Sequence, residues 1–364
     1  MSNIFDQSLK YILGVLFIFS GLVKVNDPLG TAIKLKEYFE VFAHDFSPFF
    51  EIFIPLSTVL AVLFVVLEVV LGIALILHYR MKLTVWLFIF IIAFFTFLTF
   101  YSAYYNKVTE CGCFGDAIPL TPWQSFGKDV ILSVLVILIF IRRNQYKAFL
   151  PLRTGDIIMG IALVLNIYLA IHSINHLPYI DFRPYKTGNY IPELMVPSEP
   201  YRYKYVLEKD GEEYEFTEYP SDTTYKYKDM IILNPEAQPK ITDYHIWTDD
   251  GDYTEESFIG NKLFIVIYDV SKARTRHMDK IVSLIEEIEP QVDVWALTAS
   301  SDTEFEAFRH EHQLAIPYFY ADMTVLEAII RSNPGLWLMQ DGKVVGKWHH
   351  NDVPDARTII DLLK

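Results

Sequence analysis

Cysteine is almost missing from this chain, with two residues in 364, and that excludes a small domain held together by a disulfide framework. Glycine (16) and proline (18) are sparse and follow no period, so collagen-like and low-complexity classes drop out. No Lys/Arg-rich run occurs, and 31 basic residues face 45 acidic ones, so nucleic acid is not an expected partner. Charge is scarce as well, at 21%, but it is scarce mainly in one half. Counting Lys and Arg against Asp and Glu gives about +1 for residues 1–175 and about −15 for residues 176–364. The chain is therefore two different materials joined end to end.

The first half reads as membrane. Five apolar stretches, at 8–25, 55–77, 83–105, 124–141 and 154–175, each approach the length that crosses a hydrocarbon core. The first is the shortest. No small-x-small cleavage pattern follows it, and Lys24 and Asn26 close it, so it reads as a retained helix rather than a signal peptide. Basic residues fall in two short connections, His78–Lys82 and Arg142–Arg153, which belong in the cytoplasm. The N-terminus is then cytoplasmic, while loops 26–54 and 106–123 and the whole of residues 176–364 face outward. This predicts a multi-pass protein of the bacterial inner membrane with a periplasmic C-terminal domain.

The second half reads as globular. Residues 177–200 hold five prolines and no helical period, the mark of an extended connector that packs on something. YRYKYVLEKDGEEYEFTEY alternates around Asp210-Gly211 as a hairpin does. A second hairpin is expected around DDGD (249–252), then a strand buried on both faces, KLFIVIYDV (262–270). A helix over 272–288, a strand over 292–300, a helix over 302–313, a strand over 317–322, a helix over 323–331 and a last hairpin over 336–348 follow. The fold class is an α-helical membrane bundle of five transmembrane helices followed by an α/β domain with a preceding β-hairpin segment.

Two resemblances refine this. The central strand KLFIVIYDV with its following helix, and Ser332-Asn333-Pro334 directly before a strand ending in Asp341-Gly342, resemble the membrane-tethered branch of the thioredoxin superfamily over about residues 240–364. That resemblance implies a cis-proline at Pro334, lining with Asn333 a groove for a partner. It also implies Cys-x-x-Cys after the central strand, where this chain has SKARTRHM (271–278), and no cysteine follows residue 113. Dithiol exchange needs a thiolate, so this domain cannot perform it alone. SGLVKVNDPLG (20–30), Glu68 followed by Gly72, and ECGCFGD (110–116) are similar to the DoxX/MauE group of four-helix membrane proteins over about residues 8–142. That group is remotely like quinone-reducing, disulfide-forming enzymes. Its MauE-like members are associated with maturing a periplasmic, disulfide-rich dehydrogenase subunit. The resulting division is 1–142 bundle, 143–176 fifth helix, 177–239 connector and hairpin, and 240–364 thioredoxin-like domain, with the role of residues 201–232 open.

Cys111 and Cys113 are the candidate redox pair. A disulfide needs Cα atoms about 4.4–6.8 Å apart, so Cys-Gly-Cys closes only in a tight turn, which Gly112 permits. As a staple the bond is weak, roughly 1.6 kcal/mol for three residues against about 3 for fifteen. Strain makes it a better oxidant instead. Packing of two small thiols in a turn is the alternative. His44 and Asp116 do not complete a metal set, so no metal site is expected. Glu68 falls near mid-membrane, where an ionised carboxylate is costly; proton handling and helix–helix hydrogen bonding both account for it. Lys24 and Lys128 are candidate partners, although both lie nearer the outer surface. Asp116 or Asp129 could take a proton during thiol exchange, while Asp129 as a first-turn helix acid and Trp123 as an interfacial aromatic are the plainer readings. The helix-three aromatics from Phe88 to Tyr105 could flank a quinone or simply face lipid. In the second half, Lys272, Arg274, Arg276 and His277 near a helix start form either an anion site or a solvated basic face. His349-His350 after Trp348 reads as an exposed hairpin end, with a metal or partner contact as the alternative. The bilayer and an extracytoplasmic client are the expected partners. Two functions stand: an assembly or maturation factor whose redox-inactive domain binds a client, and a thiol-disulfide oxidoreductase that uses the cysteine pair.

Overall fold

The computed structural model describes residues 4–108, 115–118, 120–146, 148–289 and 291–364. Two compact units divide the chain, Met1–Arg183 and Pro184–Lys364.

The first unit is helical: α1 (Ile4–Asn26), α2 (Pro28–Asp45), a 3-10 turn (Pro48–Phe53), α3 (Ser57–Ile76), α4 (Met81–Tyr105), a second 3-10 turn (Gly115–Ala117), α5 (Pro122–Ile141) and α6 (Leu152–Asn175). Five of these are long and apolar enough to cross a membrane: Ser8–Asn26, Ser57–Ile76, Met81–Tyr105, Pro122–Ile141 and Leu152–Asn175. They coincide with the five expected stretches. Their apolar residues point both ways. Leu13, Phe17, Leu71, Leu75, Val85, Phe88, Ile91 and Ile139 form a buried core, while Ile12, Val15, Leu63, Phe90 and Ile131 are more than half exposed. A helix apolar all round suits a bundle bathed in lipid. The band in α4 divides the same way: Phe88 and Tyr101 are buried, and Phe90, Phe97, Phe100, Tyr104 and Tyr105 are exposed. Glycines bring α1 against α3 at backbone distance, since a Cβ on Gly72 would lie 2.7 Å from the carbonyl oxygen of Gly14.

Residues 26–54, expected as an outward loop, contain α2. Asp27 accepts a hydrogen bond from the Gly30 amide at 3.0 Å and Pro28 opens the helix, so the DPLG segment is a capped helix start. Ala32, Leu35, Tyr38, Phe39 and Phe42 form its buried stripe, against Ala61, Phe64, Leu98 and Tyr101. Asp45 at its end accepts hydrogen bonds from Lys107 and Tyr101. The Lys107 ammonium first, then Tyr101 and His44, hold that carboxyl far below the usual range. At α5 the cap is a box, Thr121 with Gln124, so the helix starts earlier than its apolar run.

The second unit holds α7 (Ile191–Leu194), β1 (Tyr203–Lys209), β2 (Glu212–Phe216), β3 (Lys226–Ile232), β4 (Trp247–Thr248), β5 (Gly251–Asp252), β6 (Asn261–Val266), α8 (Met278–Ile288), β7 (Asp293–Thr298), α9 (Asp302–Glu311), β8 (Tyr318–Tyr320), α10 (Met323–Ile329), β9 (Gly335–Gln340), β10 (Lys343–His349) and α11 (Ala356–Leu362). The β1–β2 hairpin turns at Asp210-Gly211, both with positive φ, and gains a third strand, giving the order β2-β1-β3. The larger sheet runs β10-β9-β6-β7-β8-β4-β5. Within it β6, β7 and β8 are parallel, β9 runs antiparallel to β6, and β10 runs antiparallel to β9. β6 is buried from Lys262 to Val266 and alternates by face. Leu263, Ile265 and Ile267 meet Met278, Ile281 and Ile285 of α8, with Phe305 and Ile359. On the opposite face Phe264 meets Trp337 at 5.2 Å and Trp295 at 6.0 Å between ring centroids, and Tyr185 and Tyr244 lie over Trp337. The connector packs on its own domain: Ile191 donates to Gly342, and Gly188 and Val344 bond near the Tyr190–Lys343 bridge, covering the β10 edge.

Candidate functional site

Polar side chains in the helical unit converge between α1, α3, α4 and α5. Lys24 Nζ donates to Glu68 Oε2 at 2.6 Å, with both side chains 6% exposed. Lys128 Nζ lies 2.8 Å from Asp129 Oδ1. Thr99 Oγ1 donates to Asp129 Oδ2 at 3.1 Å. Lys24, Glu68, Lys128 and Asp129, with Ser20 and the apolar Phe17, Ile92, Phe95 and Leu132, line a cavity of about 80 Å³. Lys24 thus reaches Glu68 in spite of its place near the end of α1, because four methylenes carry its ammonium back along the helix. Lys128 pairs with its neighbour instead. Asp129 is no first-turn helix acid: the Thr121 cap moves the start of α5 back, so Asp129 lies two turns in and is 2% exposed. Trp123 is 60% exposed. Two carboxylates and two ammonium groups share this space, and their formal charges cancel, which lowers the cost of keeping them out of water.

Cys111 and Cys113, and the side chain of Asp116, lie outside the described residues. The described residues on either side are both fixed to the helical unit. Val108 is buried and accepts a hydrogen bond from Ser102 Oγ at 2.7 Å. A Cβ on Gly115 would touch Val23 at 3.5 Å, one residue from Lys24. His44 bonds Asp45 at 2.8 Å. Among the described residues no group of three or more His, Cys, Asp or Glu could hold a metal ion.

In the second unit the expected α8 start moves. Residues 270–277 form two 3-10 turns, and α8 begins at Met278, so Lys272, Arg274 and Arg276 stand on exposed turns rather than on a helix face. The Asn333–Pro334 peptide is cis. Its turn is tied to the segment after β6: the Arg274 amide donates to Asn333 O at 2.8 Å, and Asn333 Nδ2 donates to Asp269 O at 2.6 Å. Asn333 Oδ1 is buried with no hydrogen-bond partner among the described residues. Burial works against ionising Asp269, and hydrogen bonds from Lys272 and Ser271 outweigh it, holding the carboxyl below its usual range.

His349-His350 is not an exposed hairpin end. The two residues are 2% and 9% exposed. Ser332 Oγ lies 2.9 Å from His350 Nδ1 and accepts from the His350 amide at 3.0 Å, and it donates to Pro334 O. His277 Nδ1 lies 3.1 Å from His350 O. Burial pushes the His350 imidazole below its ordinary pKa, and the charges of His277 and Arg274 push the same way. Around Pro334 the fold therefore assembles Asp269, Arg274, His277, Ser332, Asn333 and His350. The sequence places Ser332 in the Ser-Asn-Pro motif and His350 at a hairpin end without linking them, and it singles out neither Ser20 in the cavity nor Thr99 beside Asp129. Small polar residues inside apolar runs were the available signal for the latter two.

Residues 2–142 match the family described as Methylamine utilisation protein MauE, and residues 201–232 match a domain of unknown function, DUF8463, that spans β1 to β3. No curated protein and no solved structure matches the chain. The membrane region of this protein is MauE-like.

Proposed function

We propose that this protein is a partner-binding factor of the cell envelope. Its C-terminal domain is thioredoxin-like and redox-inactive, lies outside the cytoplasm, and binds a client during assembly or maturation, while the MauE-like bundle anchors it. The observation that carries this reading is the joining of residues 269–277 to the cis Asn333–Pro334 turn in a domain that has no cysteine. Strand order and direction support the thioredoxin-like assignment: β6 parallel to β7, then β9 and β10 antiparallel beyond β6, with α8 between β6 and β7 and α11 after β10. Without thiols such a domain can bind but cannot exchange disulfides. A photo-crosslinking residue at exposed Thr275 tests the idea. It should capture a specific envelope protein in intact cells, and a probe at Arg357 should not. Absence of any product from Thr275 would defeat the reading. Orientation is tested separately: alkaline phosphatase fused after Lys364 should be active, because the basic connections at 80–82 and 142–153 keep their own side cytoplasmic.

The family match over both cysteines favours a second reading, a thiol-disulfide oxidoreductase. Oxidised Cys111–Cys113 would take two electrons and two protons from a client dithiol, leaving a client disulfide and two thiols. Trapping and alkylating thiols in intact cells separates the readings. A mixed disulfide that vanishes in Cys111→Ser supports exchange. Permanently reduced cysteines, together with full complementation by the double Ser variant, remove it.

A further inference from the structure

The C-terminal unit holds 33 acidic and 18 basic residues over 184–364, and many of its cations are neutralised. Arg202, Lys204, Lys209, Lys228, Lys262, Lys272, Arg309, Arg357 and Lys364 each lie within ion-pair distance of a carboxylate. Arg274 and Arg276 are exposed and have no ion pair among the described residues. They stand where cations concentrate, since residues 271–280 contain four Lys or Arg and one carboxylate, Asp279. Their backbone is also held in place: the Arg274 amide is tied to Asn333 O, and the next turn is tied through His277 to His350 O. Two unneutralised guanidinium groups on an anchored turn, in a domain with a large excess of negative charge, form a local site of opposite sign.

We propose that Arg274 and Arg276 bind an acidic polypeptide segment of the partner. The inference rests on the partner-binding reading and names the chemistry recognised there. A guanidinium fork matches the two oxygens of a carboxylate, which favours Asp and Glu side chains. Over the rest of the domain the same acidic segment meets like charge, so this turn also sets where and in what register the segment lies. Lys272 contributes less, because Asp269 already neutralises it.

The test uses the full-length protein in phosphatidylcholine nanodiscs and a fluorescein-labelled deca-glutamate peptide, with deca-glutamine as the comparison. Polarisation should show binding of deca-glutamate alone, falling at least roughly tenfold between about 50 and about 300 mM NaCl. The double variant R274Q/R276Q should lose roughly tenfold or more in affinity, while R357Q, on α11, should match wild type. Both arginines are exposed, and an unchanged circular dichroism spectrum shows that the variant folds. Equal binding of deca-glutamine, an unaffected double variant, or binding only to phosphatidylglycerol vesicles would each overturn the proposal. Failure here separates from failure of the wider reading: Thr275 crosslinks that persist in R274Q/R276Q sink the acidic-segment proposal and leave partner binding standing.

Discussion

Glu68 and Lys24 show what one buried pair does to its neighbours. Together they cancel; alone, either is a charge in a low-dielectric interior. Glu68→Gln leaves Lys24 uncompensated and should cost about 3–5 kcal/mol. Removing both charges (Glu68→Gln with Lys24→Gln) should cost clearly less than the two single changes added, which a double-mutant cycle on thermal unfolding in detergent measures. His350 offers a pH-dependent counterpart. Its folded pKa lies below the unfolded 6.5, so the unfolded chain binds more protons in that range. Its contribution is complete above 6.5 and is lost as pH falls below it. Protection factors of amides in β9 and β10, that is, the intrinsic exchange rate at each pH divided by the observed one, should therefore fall on acidification from neutral pH, and His350→Gln should flatten that dependence. A second loss belongs to carboxylates such as Asp222, held down to about 2 chiefly by hydrogen bonds from Thr224 and then Lys209, and it follows between 3.8 and that value. At this scale the sequence announced Glu68, Asn333 and Pro334. It did not announce the contact of Ser332 with His350, because the two lie 18 residues apart and meet only when β10 folds back beside β9.

Among elements, the α1–α3 contact is the most sharply constrained. A Cβ on Gly72 would sit 2.7 Å from Gly14 O and 2.8 Å from Ile18. Gly72→Ala should thus force the helices apart at a cost of about 1–3 kcal/mol. Gly127 in α5 has nothing within 4 Å of the same position. Gly127→Ala should be neutral, or stabilising by about 0.4–1 kcal/mol, since alanine has less backbone freedom to lose on folding. Heat-induced aggregation of the two purified variants beside wild type checks both directions. Helix α2 shows where element reading stopped. Its stripe of Ala32, Leu35, Tyr38, Phe39 and Phe42 is periodic, but Lys34, Lys36, Glu37 and Glu40 keep it outside any search for long apolar spans. Its capped start at Asp27-Pro28 was the readable signal. Strand β3 is exposed almost throughout, so no burial alternation marks it, and pairing with β1 alone makes it a strand.

For the whole molecule, the division at Arg183/Pro184 follows from two solvents acting on one chain. The C-terminal unit has its own core, built on β6, α8, α9, β9 and α11. Residues 184–364 expressed alone should be soluble and unfold cooperatively, with dispersed amide resonances. The helical unit exposes apolar side chains on its outer surface and should aggregate without detergent or lipid. Connector residues 184–192 belong to the C-terminal unit, because they cover the β10 edge and the Trp337 ring. Truncation to residue 201 should therefore lower the midpoint of thermal unfolding and promote self-association through the uncovered edge.

Local pattern alone determined five helices of spanning length, a buried strand starting near 262, which the structure ends at Val266 rather than 270, the hairpins at Asp210-Gly211 and around 249–252, and the absence of a thiol beyond residue 113. Apolar runs, period-two alternation and residue counts are carried by neighbours in the chain. Only tertiary structure decided that Lys24 neutralises Glu68 across 44 residues, that Asp129 turns inward to Thr99, and that Arg274 is fixed beside Asn333 while its charge has no ion pair among the described residues. Those outcomes depend on which side chains arrive at the same place once helices and strands pack. Distance through space, rather than distance along the chain, sets the Coulomb and hydrogen-bond terms that decide them.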